Sequence, residues 1–156
     1  MKYLFIESKL YPAQFENFLE VVSEYCTTFS LVWRDSFKFN ENAKQIEKDL
    51  RPFLIKEEVT SKWPGTEIFK AMATVRYYKF NNDSKKILRK NPDFYKWLVP
   101  DYPEDLAFYS KKGECWFASV AHENMAFFTN SSLTVSVIKD KIPGIEIKIE
   151  NFKDAF

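Results

Sequence analysis

Apolar and polar positions alternate with period two in several short stretches of the chain, and these stretches predict β-strands. Residues 3–6 form an apolar run, and residues 29–33 alternate large apolar residues with smaller or polar ones. Residues 74–80 are rich in β-branched and aromatic side chains, which favours a strand. Residues 145–149 alternate isoleucine with charged residues, as a strand with one exposed face does.

Apolar residues recur at helical spacing in the stretches between these strands. Pro12 suits the first turn of a helix, and the apolar positions that follow it at helical spacing are Phe15, Phe18, Leu19, Val22 and Tyr25 or Cys26. A second helix is predicted to begin at Asn40 or Asn42 and to end at Pro52. We expect residues 53–59 to continue as a short helix as far as a turn at residues 63–66.

The remaining helical signals are weaker. Polar residues 81–84 predict a turn that caps a third helix, and residues 91–93 predict the start of a short helix that carries Phe94 and Trp97. Residues 131–138 fit either a strand or a helix. Taken together, residues 1–156 predict a single α+β domain with a largely antiparallel sheet and helices packed on it.

Residues 105–129 predict a central β-meander, and this segment is apolar on both faces. A four-residue loop at 111–114 sets Phe108 opposite Phe117 and Tyr109 opposite Trp116, and a tight turn at 123–124 sets His122 opposite Met125. An antiparallel sheet with one solvated face would alternate apolar and polar residues. We therefore expect this sheet to be buried on both sides or covered by a partner.

Composition narrows the possible functions. Hydrophobic residues make up 46% and aromatic residues 18% of the chain, and the net charge is +1. This balance argues against nucleic acid or an acidic membrane as a partner. The three glycines cannot form a GxGxxG or P-loop motif, so no nucleotide cofactor is expected. No apolar run reaches about 18 residues and no signal peptide is evident, so we predict a cytoplasmic protein with reduced thiols.

One basic cluster is a candidate site for single-stranded nucleic acid. Such sites stack the bases on aromatic side chains that are flanked by cations. Its cations, with Tyr77 and Tyr78 close by, are Lys85, Lys86, Arg89 and Lys90. Most lysine-rich helix faces are simply solvated. Nucleic-acid binding is therefore the less favoured interpretation of the cluster.

The chain offers few residues for catalysis. Cys115 and His122 would point to opposite faces of one strand and lie about 23 Å apart, which argues against a thiol nucleophile. Ser119 lacks a GxSxG motif. Cysteine and histidine together number three, no CxxC is present, and nothing in the spacing adds carboxylates to them, so no metal site is predicted. Glu104 and Asp105 are adjacent rather than convergent, and we expect both to be solvated.

The lone histidine is the most distinctive candidate. In the predicted register Asp105 is a diagonal neighbour of His122, about 7–8 Å away, and Glu123 adds a second acid. The pair could serve as an acid–base or ligand-orienting group. The alternative is a structural histidine that caps the end of the hairpin. Since Tyr109 and Trp116 are predicted on the same face as His122, the candidate ligand- or partner-binding residues are Asp105, Tyr109, Trp116, His122 and Glu123.

Part of the meander resembles a known group of proteins. The residues that carry the resemblance are Pro103-Glu104-Asp105-Leu106, Gly113, Cys115-Trp116 and Ser119-Val120-Ala121-His122-Glu123. They resemble short uncharacterised bacterial proteins with a "PEDL…W…S..HE" pattern, some of which are labelled stage III sporulation protein AH. The resemblance covers roughly 25 residues. It implies a bacterial protein and little about mechanism.

Two functional hypotheses follow. The first is a small cytoplasmic bacterial interaction protein, an immunity-type or regulatory binder without catalysis, whose partner is another protein or a second copy. Small α+β proteins often serve as immunity partners of toxins, which is an analogy at the level of fold. The alternative is an enzyme or small-ligand-binding protein that uses His122 and Asp105 in an aromatic pocket.

Overall fold

An eight-stranded antiparallel sheet organises the computed structural model, which describes residues 2–129 and 133–151. The strands are β1 (Lys2–Ile6), β2 (Cys26–Arg34), β3 (Leu54–Thr60), β4 (Lys62–Trp63), β5 (Thr66–Glu67), β6 (Ala73–Lys79), β7 (Glu104–Ser110), β8 (Cys115–Val120), β9 (Met125–Phe128) and β10 (Ile147–Asn151). The sheet has the order β10-β1-β9-β8-β7-β2-β6-β3, and β4 and β5 form a separate hairpin. The predicted α+β fold class is confirmed.

Four helices accompany the sheet in the described part of the chain: α1 (Pro12–Tyr25), α2 (Glu41–Leu50), α3 (Asn82–Leu88) and α4 (Val135–Lys141). Asn40, rather than Asn42, caps α2, because its side chain accepts the backbone N–H of Ala43. Asn81 caps α3 as predicted. Short 3₁₀ turns lie at residues 51–53, 94–96 and 121–123. Among the described residues, no helix has the length and apolar character needed to span a membrane.

The short helix expected at residues 53–59 is wrong, because this segment is strand β3. It pairs with β6 from Leu54 opposite Tyr78 to Thr60 opposite Ala73. A short, mixed sequence has no clear period of its own, and pairing with a neighbouring strand decides its conformation. In the ambiguous segment 131–138, helix α4 begins at Val135 after a Thr134 cap, and residues 131 and 132 lie outside the described residues.

The helices cover one face of the sheet and form the main core with it. Phe18 of α1 is fully buried, and its ring centroid lies 4.8 Å from that of Phe94 and 4.6 Å from that of Phe117. Each such buried phenylalanine contributes about 1.5–3 kcal/mol relative to an exposed one. The apolar stripe predicted for α1 therefore faces this core.

The opposite face carries a smaller apolar cluster, formed by Tyr3, Ala107, Tyr109, Ala118, Val120 and Phe127. The turn between β4 and β5 lies directly on it, because a Cβ atom on Gly65 would come within 2.6 Å of the Val120 side chain. Every residue of β8 from Trp116 to Val120 is buried. The expectation that the meander is buried on both sides is confirmed.

The register of the meander is partly as predicted. Phe108 lies opposite Phe117, but a bulge then sets Tyr109 opposite Cys115, so the predicted pairing of Tyr109 with Trp116 is wrong. At the second turn, Val120 lies opposite Met125, and residues 121–123 form a 3₁₀ turn. The predicted pairing of His122 with Met125 is therefore also wrong. Each deviation comes from a local irregularity that a regular alternation of residues does not reveal.

Candidate functional site

A bulge at Asp105 creates the candidate site. Ser30 pairs with Ala107 and Val32 pairs with Glu104, so β7 has one residue more than β2 over this interval. Asp105 takes a left-handed backbone conformation with φ of 56°, which aspartate tolerates better than most residues. In a regular strand two adjacent carboxylates would point to opposite faces. Here Glu104 and Asp105 are both 2% exposed, so the expectation that they are solvated is wrong.

Asp105 is held by two hydrogen bonds from different parts of the chain. Its Oδ2 accepts the indole N–H of Trp63 at 2.8 Å, and its Oδ1 accepts the backbone N–H of Ala121 at 2.9 Å. Burial raises the pKa of Asp105 above its ordinary value, although both hydrogen bonds oppose the rise. The carboxylate thus fixes both the β4–β5 hairpin and the turn that carries His122.

Glu104 is less completely satisfied. Its Oε2 lies 3.8 Å from Nη1 of Arg34, too far for a hydrogen bond, and this buried oxygen has no hydrogen-bond partner among the described residues. Burial and the neighbouring Asp105 raise the pKa of Glu104. The Arg34 guanidinium also lies 4.7 Å from the centre of the Phe37 ring. Glu104 therefore presents a buried oxygen with unused hydrogen-bonding capacity.

His122 approaches the two acids from the solvent side. Its side chain is 45% exposed, and its Nε2 lies 3.7 Å from an oxygen of Glu123. One atom each of Glu104, Asp105 and His122 lies within 4.8 Å of the other two. The predicted proximity of Asp105 and His122 is confirmed, and Glu104 joins them. We refer to Glu104, Asp105 and His122 as the acid–histidine cluster.

The two predicted aromatic members of the site lie elsewhere. Tyr109 is on the face opposite the helices, and its hydroxyl is hydrogen-bonded to Ser30 at 2.9 Å. Trp116 lies on the helix face and stacks on Tyr25 at 5.4 Å. The aromatic pocket predicted around His122 from Tyr109 and Trp116 is therefore wrong. The aromatic residue at the site is Trp63, which no local pattern associates with Asp105.

The other nucleophile candidates have structural roles. The thiol of Cys115, at the opposite end of β8 from His122, contacts the carbonyl oxygen of Phe117 at 3.6 Å, and burial raises its pKa to about 12. Burial also raises the pKa of Cys26. The hydroxyl of Ser119 is buried and donates to the carbonyl of Leu106 at 2.8 Å. These environments suit packing rather than nucleophilic attack.

Acidic side chains neutralise the basic cluster of Lys85, Lys86, Arg89 and Lys90. The ion pairs are Lys85–Glu20 at 3.3 Å, Lys86–Asp83 at 3.5 Å, Arg89–Glu16 at 2.6 Å and Lys90–Asp49 at 3.8 Å. Phosphate binding needs cations whose charge is available. These contacts favour the structural interpretation of the cluster.

A second surface of interest is the edge of the sheet at β3. The side chains of Leu54, Ile55 and Val59 are on this strand, and these residues are 40%, 53% and 63% exposed. Phe69 and Met72, in the connection from β3 to β6, are 82% and 49% exposed. These five residues are among the eight large hydrophobic residues that are exposed in the described part of the chain.

Comparison of the chain with protein-family models, with curated proteins and with solved structures gives no match. The resemblance of residues 103–123 to short bacterial proteins therefore stays a prediction.

Proposed function

We propose that this protein is a non-catalytic interaction protein that binds an extended segment of another protein along strand β3. The observation that supports the proposal most strongly is the strand itself. β3 is a seven-residue edge strand, six of its residues are exposed, and three of those six are large and apolar. An edge strand offers unpaired backbone donors and acceptors to an incoming strand.

The charges on β3 limit the registers in which the strand could pair with a second copy. An antiparallel pairing about a two-fold axis sets the central residue opposite itself. Centring it on residue 56 or 58 places Lys56 opposite Lys56 or Glu58 opposite Glu58, whereas centring it on residue 57 places Glu57 opposite itself but sets Lys56 opposite Glu58 and Ile55 opposite Val59. Like charges directly opposite each other are destabilising in a sheet. The registers centred on residues 56 and 58 are therefore disfavoured, and a second copy that paired in the remaining register would be detected as a dimer by light scattering.

The residues of β3 also indicate which side chains the partner should carry. An added antiparallel strand needs apolar side chains opposite Ile55 and Val59, an acidic or polar one opposite Lys56, and a basic one opposite Glu58. Glu57 already accepts a hydrogen bond from Arg76 at 3.0 Å. We infer an extended segment that carries apolar residues together with one basic residue and one acidic or polar residue.

Within this proposal the protein acts as an immunity-type or regulatory binder in a bacterial cytoplasm. Cys26 and Cys115 are both free thiols, which agrees with a reducing compartment. The resemblance of residues 103–123 supports a bacterial source.

The experiment compares capture of proteins from a native lysate by the wild-type protein, by Val59→Lys and by Ile149→Lys. Ile149 is 47% exposed on the other edge strand, β10, and provides a matched control. The proposal expects a specific partner that the wild type and Ile149→Lys retain and that Val59→Lys loses. Equal capture by all three proteins, or a wild-type protein that is a dimer in light scattering and captures nothing, would contradict it.

A further inference from the structure

We propose that Glu104, Asp105 and His122 bind a divalent transition-metal ion of the zinc type. The inference is independent of binding at β3. It gives the ligand-binding alternative a specific ligand, because a metal ion can bind without an aromatic pocket. The cluster combines two carboxylates with an imidazole, and these are ligands that such ions accept together.

The spacing of the cluster is close to that of a metal site. Two ligand atoms on one tetrahedral Zn²⁺ ion lie about 3.4 Å apart, because each bond is about 2.0–2.2 Å long. The candidate atoms lie within 4.8 Å of one another, so a shift of up to about 1.4 Å brings all three into range. His122 is on an exposed turn and can make this shift, while the two acids stay anchored in β7.

The charge balance also favours a cation. Two buried carboxylates face a single nearby guanidinium, that of Arg34. The Oε2 atom of Glu104, in a side chain that is 3% exposed, has no hydrogen-bond partner among the described residues. Burying such an oxygen without a partner is unfavourable. A bound cation gives it one and offsets the repulsion between the two acids.

The surroundings resemble the outer shell of a metal site. The N–H groups of Trp63 and Ala121 each donate to one oxygen of Asp105, and they fix the direction of the remaining lone pairs. Three protein ligands leave at least one coordination position for water or a substrate atom. A nitrogen ligand favours Zn²⁺ or a similar ion over Mg²⁺ and Ca²⁺, which prefer oxygen.

The test is calorimetric titration with Zn²⁺, and separately with Mg²⁺, of the wild type, Glu104→Gln, His122→Gln and Glu123→Gln. Glu123 is the matched control, because it contacts His122 but lies outside the cluster. We expect one Zn²⁺ per chain, binding at least about tenfold weaker in Glu104→Gln and His122→Gln, and little change in Glu123→Gln. Mg²⁺ should bind far more weakly than Zn²⁺.

Two results overturn the proposal. One is the absence of Zn²⁺ binding up to about 1 mM. The other is unchanged affinity in folded Glu104→Gln, which shows that Glu104 is not a ligand of the ion. If circular dichroism shows that Glu104→Gln does not fold, tryptophan fluorescence tests instead whether Zn²⁺ binds next to Asp105. Zn²⁺ at Asp105 should change the emission of the wild type but not of Trp63→Phe, and an equal change in both proteins counts against the site.

Discussion

The indole N–H of Trp63 donates a hydrogen bond to Asp105 across 42 residues of sequence, at 2.8 Å and in a buried environment. This contact joins the β4–β5 hairpin to the bulge of β7. Since Asp105 also accepts the N–H of Ala121, one carboxylate connects three segments of the chain. The acid–histidine cluster depends on that connection.

Replacing Asp105 tests how much this carboxylate stabilises the fold. Asp105→Ala leaves two buried N–H groups without an acceptor and places alanine at a φ of 56°. We expect it to lower the free energy of unfolding by about 2–4 kcal/mol. Asp105→Asn keeps one acceptor and tolerates the backbone conformation, so its loss should be less than half as large. Urea denaturation measures both, and equal losses would contradict this account of the bulge.

The close approach of the β4–β5 turn to the sheet is tested by a pair of glycines. Gly65 and Gly113 both have positive φ, at 84° and 81°, but only a Cβ on Gly65 meets a neighbour, Val120, at 2.6 Å. Gly113→Ala should cost about 1 kcal/mol from backbone strain alone. Gly65→Ala should cost about 2–4 kcal/mol, because the turn must also move away from the sheet. Thermal unfolding measures the stability of both variants. Equal losses of stability would contradict the packing of the β4–β5 turn on the sheet.

The pairing of Glu16 with Arg89 predicts a small effect of acid on stability. The hydrogen bond from Arg89 lowers the pKa of Glu16 below its ordinary value of 4.5. The carboxylate therefore stabilises the fold above that value, and its contribution is lost as the pH falls through the lowered pKa. Both side chains are partly exposed, so the contribution is at most about 1 kcal/mol.

The measurement is the difference in unfolding free energy between the wild type and Glu16→Gln as a function of pH. It should be present at neutral pH and disappear in acid. A difference in unfolding free energy that grows as the pH falls would contradict the prediction.

The buried environment of the cysteines predicts slow thiol chemistry. Burial raises the pKa of Cys115 from 9.0 to about 12, so its thiolate fraction near neutral pH falls about 1,000-fold. Both thiols of the folded protein should react with a disulfide reagent at least about 100-fold more slowly than in urea. Fast reaction of Cys115 in the folded protein would contradict this prediction and would support a nucleophilic role for the thiol.

Much of the fold could be predicted because local pattern and tertiary environment agree. Helix α1 has apolar residues at helical spacing that match its buried face, and the apolar runs of the first and second strands match strands that are buried on both faces. Strand β3 could not be predicted in this way. It lies at an edge with both faces exposed, so no burial imposes an alternation on its residues.

The site was predicted only in part for a related reason. The diagonal relation of Asp105 to His122 follows from pairing within the meander, which the sequence indicates. The bulge that turns Glu104 and Asp105 inward adds a single residue and leaves no periodic signal. Its one trace is a pair of adjacent acids in an otherwise apolar strand. The contact with Trp63 is non-local, and no pattern within either segment specifies it.

The most direct test of the proposed function is hydrogen–deuterium exchange of the protein with and without its captured partner. Residues 54–60 should gain protection of at least about tenfold in the complex, because the incoming strand bonds to their outward-facing amides, while residues 147–151 on the opposite edge should not change. Protection confined to any surface other than β3 would contradict the proposal.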